Sequence, residues 1–286
     1  MMPIRKISAR FRCLVLSLAA VLSITATATA AETLEVAVAF TRNMILQRQV
    51  EVPVWGFDLP GTQVTVEFAG QKKTTRVDQN GDWMVRLDPL EASADERSLR
   101  VFNDRQESIT LDGVLVGEVW FSSGQSNMVW TAGSSMCRDI ASEIAGSKTE
   151  IPIREISIDT VSALYPQKRA TSEEGWKTHK NASGFSALSL SFAYELYKEL
   201  DVPIGILLSA HSNTRIEAFT QRQAIEQHSG LAVDVQLIRD ADPTAEQGRN
   251  AFAQYYEDLA SWQKVAGQAA DAGGRIPARP GLPGIA

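Results

Sequence analysis

The hydrophobic pattern of this chain changes period once, near Asp112, and that change narrows its folds more than any other feature. Before it, short apolar alternations are separated by turn residues, the grammar of an antiparallel β-sandwich. Val64, Val66 and Phe68 fall on one face of a strand while Thr65 and Glu67 fall on the other, as one buried and one wet face require. Asp58 to Gly61 and Asn80-Gly81 mark turns. Asn-Gly tolerates positive φ at both positions, so it predicts a tight hairpin between Thr74–Val77 and Trp83–Leu87. Residues 31–112 are therefore expected to form an immunoglobulin-like sandwich with Trp55 and Trp83 in its core.

After Asp112, strand candidates alternate with helices. Val114 to Ser122 is an apolar strand, and Cys137 to Ala145 and Ser186 to Leu200 are helical. In the second helix Leu188, Phe192 and Leu196 recur every four residues, with Ala193 and Tyr197 alongside, which predicts one core-facing stripe. Val202-Pro203 ends it, and Ile204 to Leu208 is a strand buried on both faces, as in a parallel sheet covered by helices. Ile153 to Ile158 is a weaker strand, because Arg154 and Glu155 interrupt it. Residues 113–286 thus read as a doubly wound α/β domain. Ligands of such domains bind beyond the carboxyl ends of the strands, which directs the search for chemistry to the residues after Ser122 and after Leu208.

The first thirty residues read as an address. Arg5, Lys6, Arg10 and Arg12 precede an apolar run from Cys13 to Ile24, and Ala28-Thr29-Ala30 has the small residues a signal peptidase accepts. The run is shorter than the roughly 20 apolar residues of a membrane span. The expectation is an exported protein, periplasmic or extracellular, with no membrane partner after cleavage. Cleavage takes away four of 28 basic residues, leaving 24 against 34 acidic ones, a net charge of −10. So acidic a chain is not built for nucleic acid. It would keep Cys137 alone, read as a small buried hydrophobe, so a disulfide scaffold is excluded. His179, His211 and His228 have no metal-ligand spacing, and neither a metal nor a cofactor is expected.

The run from Gly117 to Met128, Gly-Glu-Val-Trp-Phe-Ser-Ser-Gly-Gln-Ser-Asn-Met, sets Ser126 on the turn leaving a strand. A serine hydroxyl becomes a nucleophile when a base takes its proton and fixed N–H donors meet the charge that develops on the attacked carbonyl. A sharp turn supplies such donors, and Gly124 lets the chain make it. The alternative is that Ser126 only caps the helix that follows.

This run resembles the signature of the sialate O-acetylesterase family, secreted serine esterases of the SGNH type that remove acetyl groups from sugars. The resemblance continues in Met44 to Arg48, Val52 to Gly56, Phe185-Ser186-Ala187, Tyr194 to Leu200 and Thr214 to Thr220, and spans roughly residues 40–220. It implies that Ser126 is the nucleophile, with its own backbone N–H as one oxyanion donor. A second donor would come from the loop after the next strand, where family members carry Trp-Gly-Gly-Thr and this chain has His211-Ser212-Asn213-Thr214. Asn213 is the expected donor there, since asparagine accepts left-handed backbone readily. The family's later Gln-Gly-Glu-Ser-Asn and Asp-x-x-His segments have no counterpart, and Gln247-Gly248-Arg249-Asn250 matches only superficially in a helical setting. Arg275 to Ala286 reads as a linker, so the chain is expected to be a C-terminally truncated member. His211 and Arg215 remain as candidates for a base or a substrate contact, although a salt bridge with Glu217 accounts equally well for Arg215. The implied substrate is O-acetylated sialic acid or another acetylated carbohydrate. The competing expectation is a secreted protein that binds such sugars without cleaving them.

Overall fold

A computed structural model describes residues 33–161 and 163–283. Residues 1–32, which include the expected signal segment and Cys13, lie outside the described residues. The β-rich half contains β1 (Glu35–Val36), β2 (Ile45–Gln47), β3 (Val52–Phe57), β4 (Gln63–Phe68), β5 (Gln71–Arg76), β6 (Asp82–Leu87), β7 (Ser93–Asn103) and the start of β8 (Ser108–Gly124). One sheet has the antiparallel order β1-β3-β6, while β7, β4 and β5 extend from β8 in the other. Val64, Val66 and Phe68 are buried between the sheets, as the alternation predicts. Trp83 joins them, and Trp55 packs edge-on against Phe40 with ring centroids 4.7 Å apart.

The Asn80-Gly81 turn forms, but it is not a hairpin. β5 pairs with β4 and β6 pairs with β3, so the turn carries the chain from one sheet to the other. Only Gly81 takes positive φ, and the Asp78 carboxylate holds the turn by accepting the Asn80 and Asp82 N–H groups. A side-chain acceptor inside the loop supplies closure that a two-residue hairpin would draw from its strands.

β8 is the axis of the molecule. Its first part pairs antiparallel with β7, and its last part, from Glu118, pairs parallel with β11 (Ile204–Ala210). The strand bends at Gly113, which takes φ +73°, next to a register shift in the β7 pairing. One continuous strand therefore runs through the position where the hydrophobic period changes.

The second half continues with α1 (Ser126–Val129), α2 (Arg138–Gly146), β9 (Ile153–Ser157), β10 (Trp176–Lys177), α3 (Ala187–Leu200), β11, α4 (Arg222–Gln227), α5 (Ala232–Ala241) and α6 (Glu246–Asp271). Its sheet runs β10-β9-β11-β8, with β11 parallel to both neighbours. Ala141 and Ile144 of α2, with Leu190 and Ala193 of α3, cover one face of this sheet in a cluster with Ile153, Ile204 and Ile206. On the other face Ile156 and Trp176 join the core of the β-rich half, with Leu207 packed against them. A β layer stands there in place of the second helical layer that a doubly wound domain has.

The stripe expected to bury α3 does so only in part: Ala193 is buried and Leu196 and Tyr197 pack against the cluster, but Leu188 and Phe192 turn outward. Leu188 is 52% and Phe192 44% exposed, while Ala187, Ser189, Leu190 and Ala193 face the core. Small residues let the helix lie close to β9 and β11, so close approach decides the buried face over side-chain size. Cys137 is half-buried at the start of α2, packed against the same cluster. The tail is no free linker, since Pro277 accepts the Trp262 indole N–H and Arg279 donates to the Tyr255 hydroxyl of α6.

Candidate active site

Two glycines shape the strand that delivers Ser126. A Cβ on Gly117 would stand 1.9 Å from the Pro203 carbonyl oxygen, so β8 and the start of β11 approach only because the side chain is absent. Gly124 takes φ +145°, and a Cβ there would press on Met128. Between them Glu118 binds Arg48 at 2.7 Å and Gln47 at 3.2 Å. The hydrogen bond from Arg48 holds the Glu118 carboxyl below its usual range. Gln47 also accepts the Val119 N–H at 2.8 Å. Much of the signature's regularity is thus structural: Gly117 and Glu118 lock β8 to β11 and to the Met44–Arg48 segment.

From Val119 onward β8 pairs with β11 on one edge only. Trp120 is 44% and Phe121 68% exposed, contrary to the expectation of a strand buried to its end. Trp120 rests on Phe192, ring centroids 5.1 Å apart.

Ser126 is the first residue of α1 and half-buried. The N-cap is Gln125, without a side-chain capping bond, so the Ser126 hydroxyl is not spent on the helix. Among the described residues no side chain hydrogen-bonds it, and the Ser126 N–H has no backbone acceptor. Ser126 lies where β8 ends beside β11, with Gly124 opposite Ala210.

The loop after β11 comes to the same place. His211 donates its backbone N–H to the Gly124 carbonyl at 3.0 Å, its side chain exposed. Asn213 takes φ +58°, the left-handed conformation expected of it, and its N–H also lacks a backbone acceptor. Arg215 is directed elsewhere, paired with Glu217 at 2.7 Å and Asp234 at 3.0 Å. The other histidines have local roles. His228 accepts the Gly230 N–H, and His179 is buried with its Nδ1 3.9 Å from Glu150. Gln247 to Asn250 lie within α6, where Gly248 packs on the Asp242 carbonyl.

A groove of about 550 Å³ opens beside this loop, lined by Ile158, Tyr165 and Arg169 on one bank and Ala210, His211 and Thr214 on the other. Asp242 braces one wall, accepting hydrogen bonds from Tyr165 and Thr244 that hold its carboxyl far below the usual range. The Ile158–Ala170 bank carries no signal in the sequence beyond lying after a strand. Among the described residues no cluster of His, Cys, Asp and Glu is arranged to hold a metal, and no helix is long and apolar enough to cross a membrane.

No protein-family model matches the chain. It is 28% identical over 200 residues to the mouse sialate O-acetylesterase and 31% identical over 201 residues to the human one. Each match takes in 64% of this chain but only 37% and 38% of those proteins. The crystal structure of a carbohydrate acetylesterase from Xanthomonas citri superposes with a TM-score of 0.61 at 30% identity, over 68% of this chain and 44% of that one. The chain spans less than half the length of these relatives. Over the residues it shares with them, it is similar to the sialate O-acetylesterases.

Proposed function

We propose that this chain carries the nucleophile-bearing part of an exported carbohydrate O-acetylesterase, with an immunoglobulin-like sandwich leading an SGNH-type hydrolase region. The preferred substrate is a sugar O-acetyl ester of the sialate 9-O-acetyl type. The observation that carries the proposal is the placement of Ser126 at the end of β8, its hydroxyl and N–H without a hydrogen-bond partner among the described residues, at the sheet end from which the loop with the left-handed Asn213 also leaves.

In this reading the Ser126 oxygen attacks the acetyl carbonyl as its proton passes to a base. The Ser126 and Asn213 N–H groups take the charge of the tetrahedral oxyanion. That intermediate collapses by breaking the bond to the sugar oxygen, which leaves with a proton, and water then frees acetate from the acyl-serine. Each lost oxyanion donor costs about 3 kcal/mol of transition-state stabilisation. His211, alone among the three histidines, stands at this sheet end, within the bank of the groove where the sugar would lie. Arg215, already paired twice, is a framework residue in this scheme.

The test is phosphonylation by a fluorophosphonate, located by mass spectrometry, beside p-nitrophenyl acetate turnover. Ser126 should be the labelled residue, and Ser126→Ala should abolish both signals without changing the far-UV spectrum. Labelling elsewhere, or turnover that survives the substitution, sinks the assignment. A second reading, binding without turnover, is favoured by the lack, among the described residues, of any base hydrogen-bonded to Ser126. It predicts capture of a 9-O-acetylated sialoside with no release of acetate.

A further inference from the structure

Glu155 of β9 is a carboxylate with no exposure at all. Its Oε2 accepts the Ser186 backbone N–H at 3.0 Å, and its Oε1 has no hydrogen-bond partner. The nearest cation is Lys177 on β10, 3.6 Å from Oε1, which also donates to the Gly184 carbonyl and lies 3.5 Å from Glu174. A buried acid with an orphaned oxygen is a costly way to hold one N–H, since a neutral amide would accept it without the desolvation of a charge.

That N–H belongs to a junction. Ser186 forms an isolated antiparallel bridge with Thr131, the Ala187 N–H donates to the Trp130 carbonyl at 2.8 Å, and the Ala132 N–H donates to the Phe185 carbonyl at 2.8 Å. Trp130 in turn donates its N–H to the Ser126 carbonyl. The short helix bearing Ser126 is thus tied at its far end to residues 185–187, and those residues are tied to the sheet by Glu155. We propose that Glu155 is a positioning residue for Ser126, its carboxylate setting through Ser186 how firmly the segment after the nucleophile is held. This rests on the reading of Ser126 as nucleophile.

The ionised carboxylate makes a charge-assisted bond to Ser186 N–H, at the start of α3 where the helix dipole also favours an anion. The protonated acid is a weaker acceptor. Burial pushes the Glu155 carboxyl up to about 7, with Lys177 opposing and Glu174 adding to the rise. Among the described residues no further charge faces it: β11 pairs Ile206 with Glu155, the Ser186 cap of α3 is neutral, and residues 130–132 are uncharged. The tether therefore tightens as pH rises through neutrality.

The experiment follows amide hydrogen exchange of Ala132, Ser186 and Ala187 in the full chain between pH 5.5 and 8.5, corrected for intrinsic exchange, with Ser126 phosphonylation measured in parallel. Wild type should gain several-fold protection at these amides with a midpoint near pH 7, and labelling should gain a component of the same midpoint. Glu155→Gln should remove both steps. Lys177→Met, which takes away the opposing cation, should move the step to higher pH and serves if the Gln variant folds poorly. A flat wild-type profile overturns the proposal, as does a step that persists in Glu155→Gln or an unmoved midpoint in Lys177→Met. A Ser126 that never labels, with the exchange step intact, refutes the nucleophile assignment and leaves the tether standing.

Discussion

Replacing Arg154 with methionine should cost this protein about 5 kcal/mol of stability. The guanidinium is fully buried and donates from Nη1 to the Asn43 and Gly113 carbonyls, and from Nη2 to Glu96 and Glu150, each at 3.0 Å. Asn43 and Gly113 both hold positive φ, and the Asn43 Oδ1 lies 2.5 Å from where a Cβ on Gly113 would stand, so the two residues approach closely and both carbonyls reach Arg154. Methionine fills most of the volume and leaves both carbonyls without a donor, at about 1–3 kcal/mol each. The two carboxylates are 56% and 41% exposed and return to water, so losing their ion pairs costs roughly 0–1 kcal/mol each. These terms centre on about 5 kcal/mol, at the upper end of the ~3–5 kcal/mol typical of a broken buried pair. Urea unfolding followed by circular dichroism measures it. Because β9 belongs to the α/β half and Asn43 to the β-rich half, the variant should also unfold less cooperatively. Arg154→Lys, with one cation but no fork, should recover only part of the loss. A methionine variant within 1 kcal/mol of wild type would refute the view that Arg154 joins the two halves.

Three further outcomes follow from the same packing. Glu155 carries a carboxyl raised from 4.5 to about 7, so it contributes stability fully below pH 4.5 and loses that contribution as pH climbs to about 7. Glu155→Gln should therefore gain on wild type by up to about 3 kcal/mol between pH 4.5 and 7.5 in denaturant titrations, and a constant difference would contradict the burial argument. Gly117→Ala forces a Cβ into the Pro203 carbonyl and should destabilise by about 3 kcal/mol or prevent folding, read as a fall in melting temperature. Glu118 has the opposite sign to Glu155: its lowered carboxyl stabilises above pH 4.5, and that contribution disappears as pH falls through its folded value. Glu118→Gln should bring the variant and wild type closer in stability as the pH drops from 6 to 3, and a gap that widens would count against the Arg48 pairing.

Much of the architecture is legible from side-chain period alone. Alternation places Val64, Val66 and Phe68 in the β-rich core, and the apolar run at Ile204 identifies a central parallel strand. The turn at Gly124 and the left-handed Asn213 follow from residue chemistry and occur as expected. Hairpin pairing after Asn80-Gly81 failed because a turn motif specifies chain reversal but not the sheet to which the next strand goes. The α3 stripe held for Ala193, Leu196 and Tyr197 but not for Leu188 and Phe192, because four-residue spacing identifies a row but not how far the helix is rotated against the sheet. The small Ala187 and Ala193 permit the closer approach.

The sequence by itself determined the change from β-rich to α/β structure, the strand and turn that deliver Ser126, and the kinship carried by the residues from Gly117 to Met128. These depend on local period and on backbone freedom, which are written residue by residue. Only the tertiary structure decided the fate of Arg154 and Glu155, the two charges that made β9 a doubtful strand. Both are fully buried, one joining the halves and the other tying the start of α3 to the sheet. A charge in a strand is unfavourable until its partners are known, and these partners lie on Asn43, Glu96, Gly113, Lys177 and Ser186, brought together by the fold.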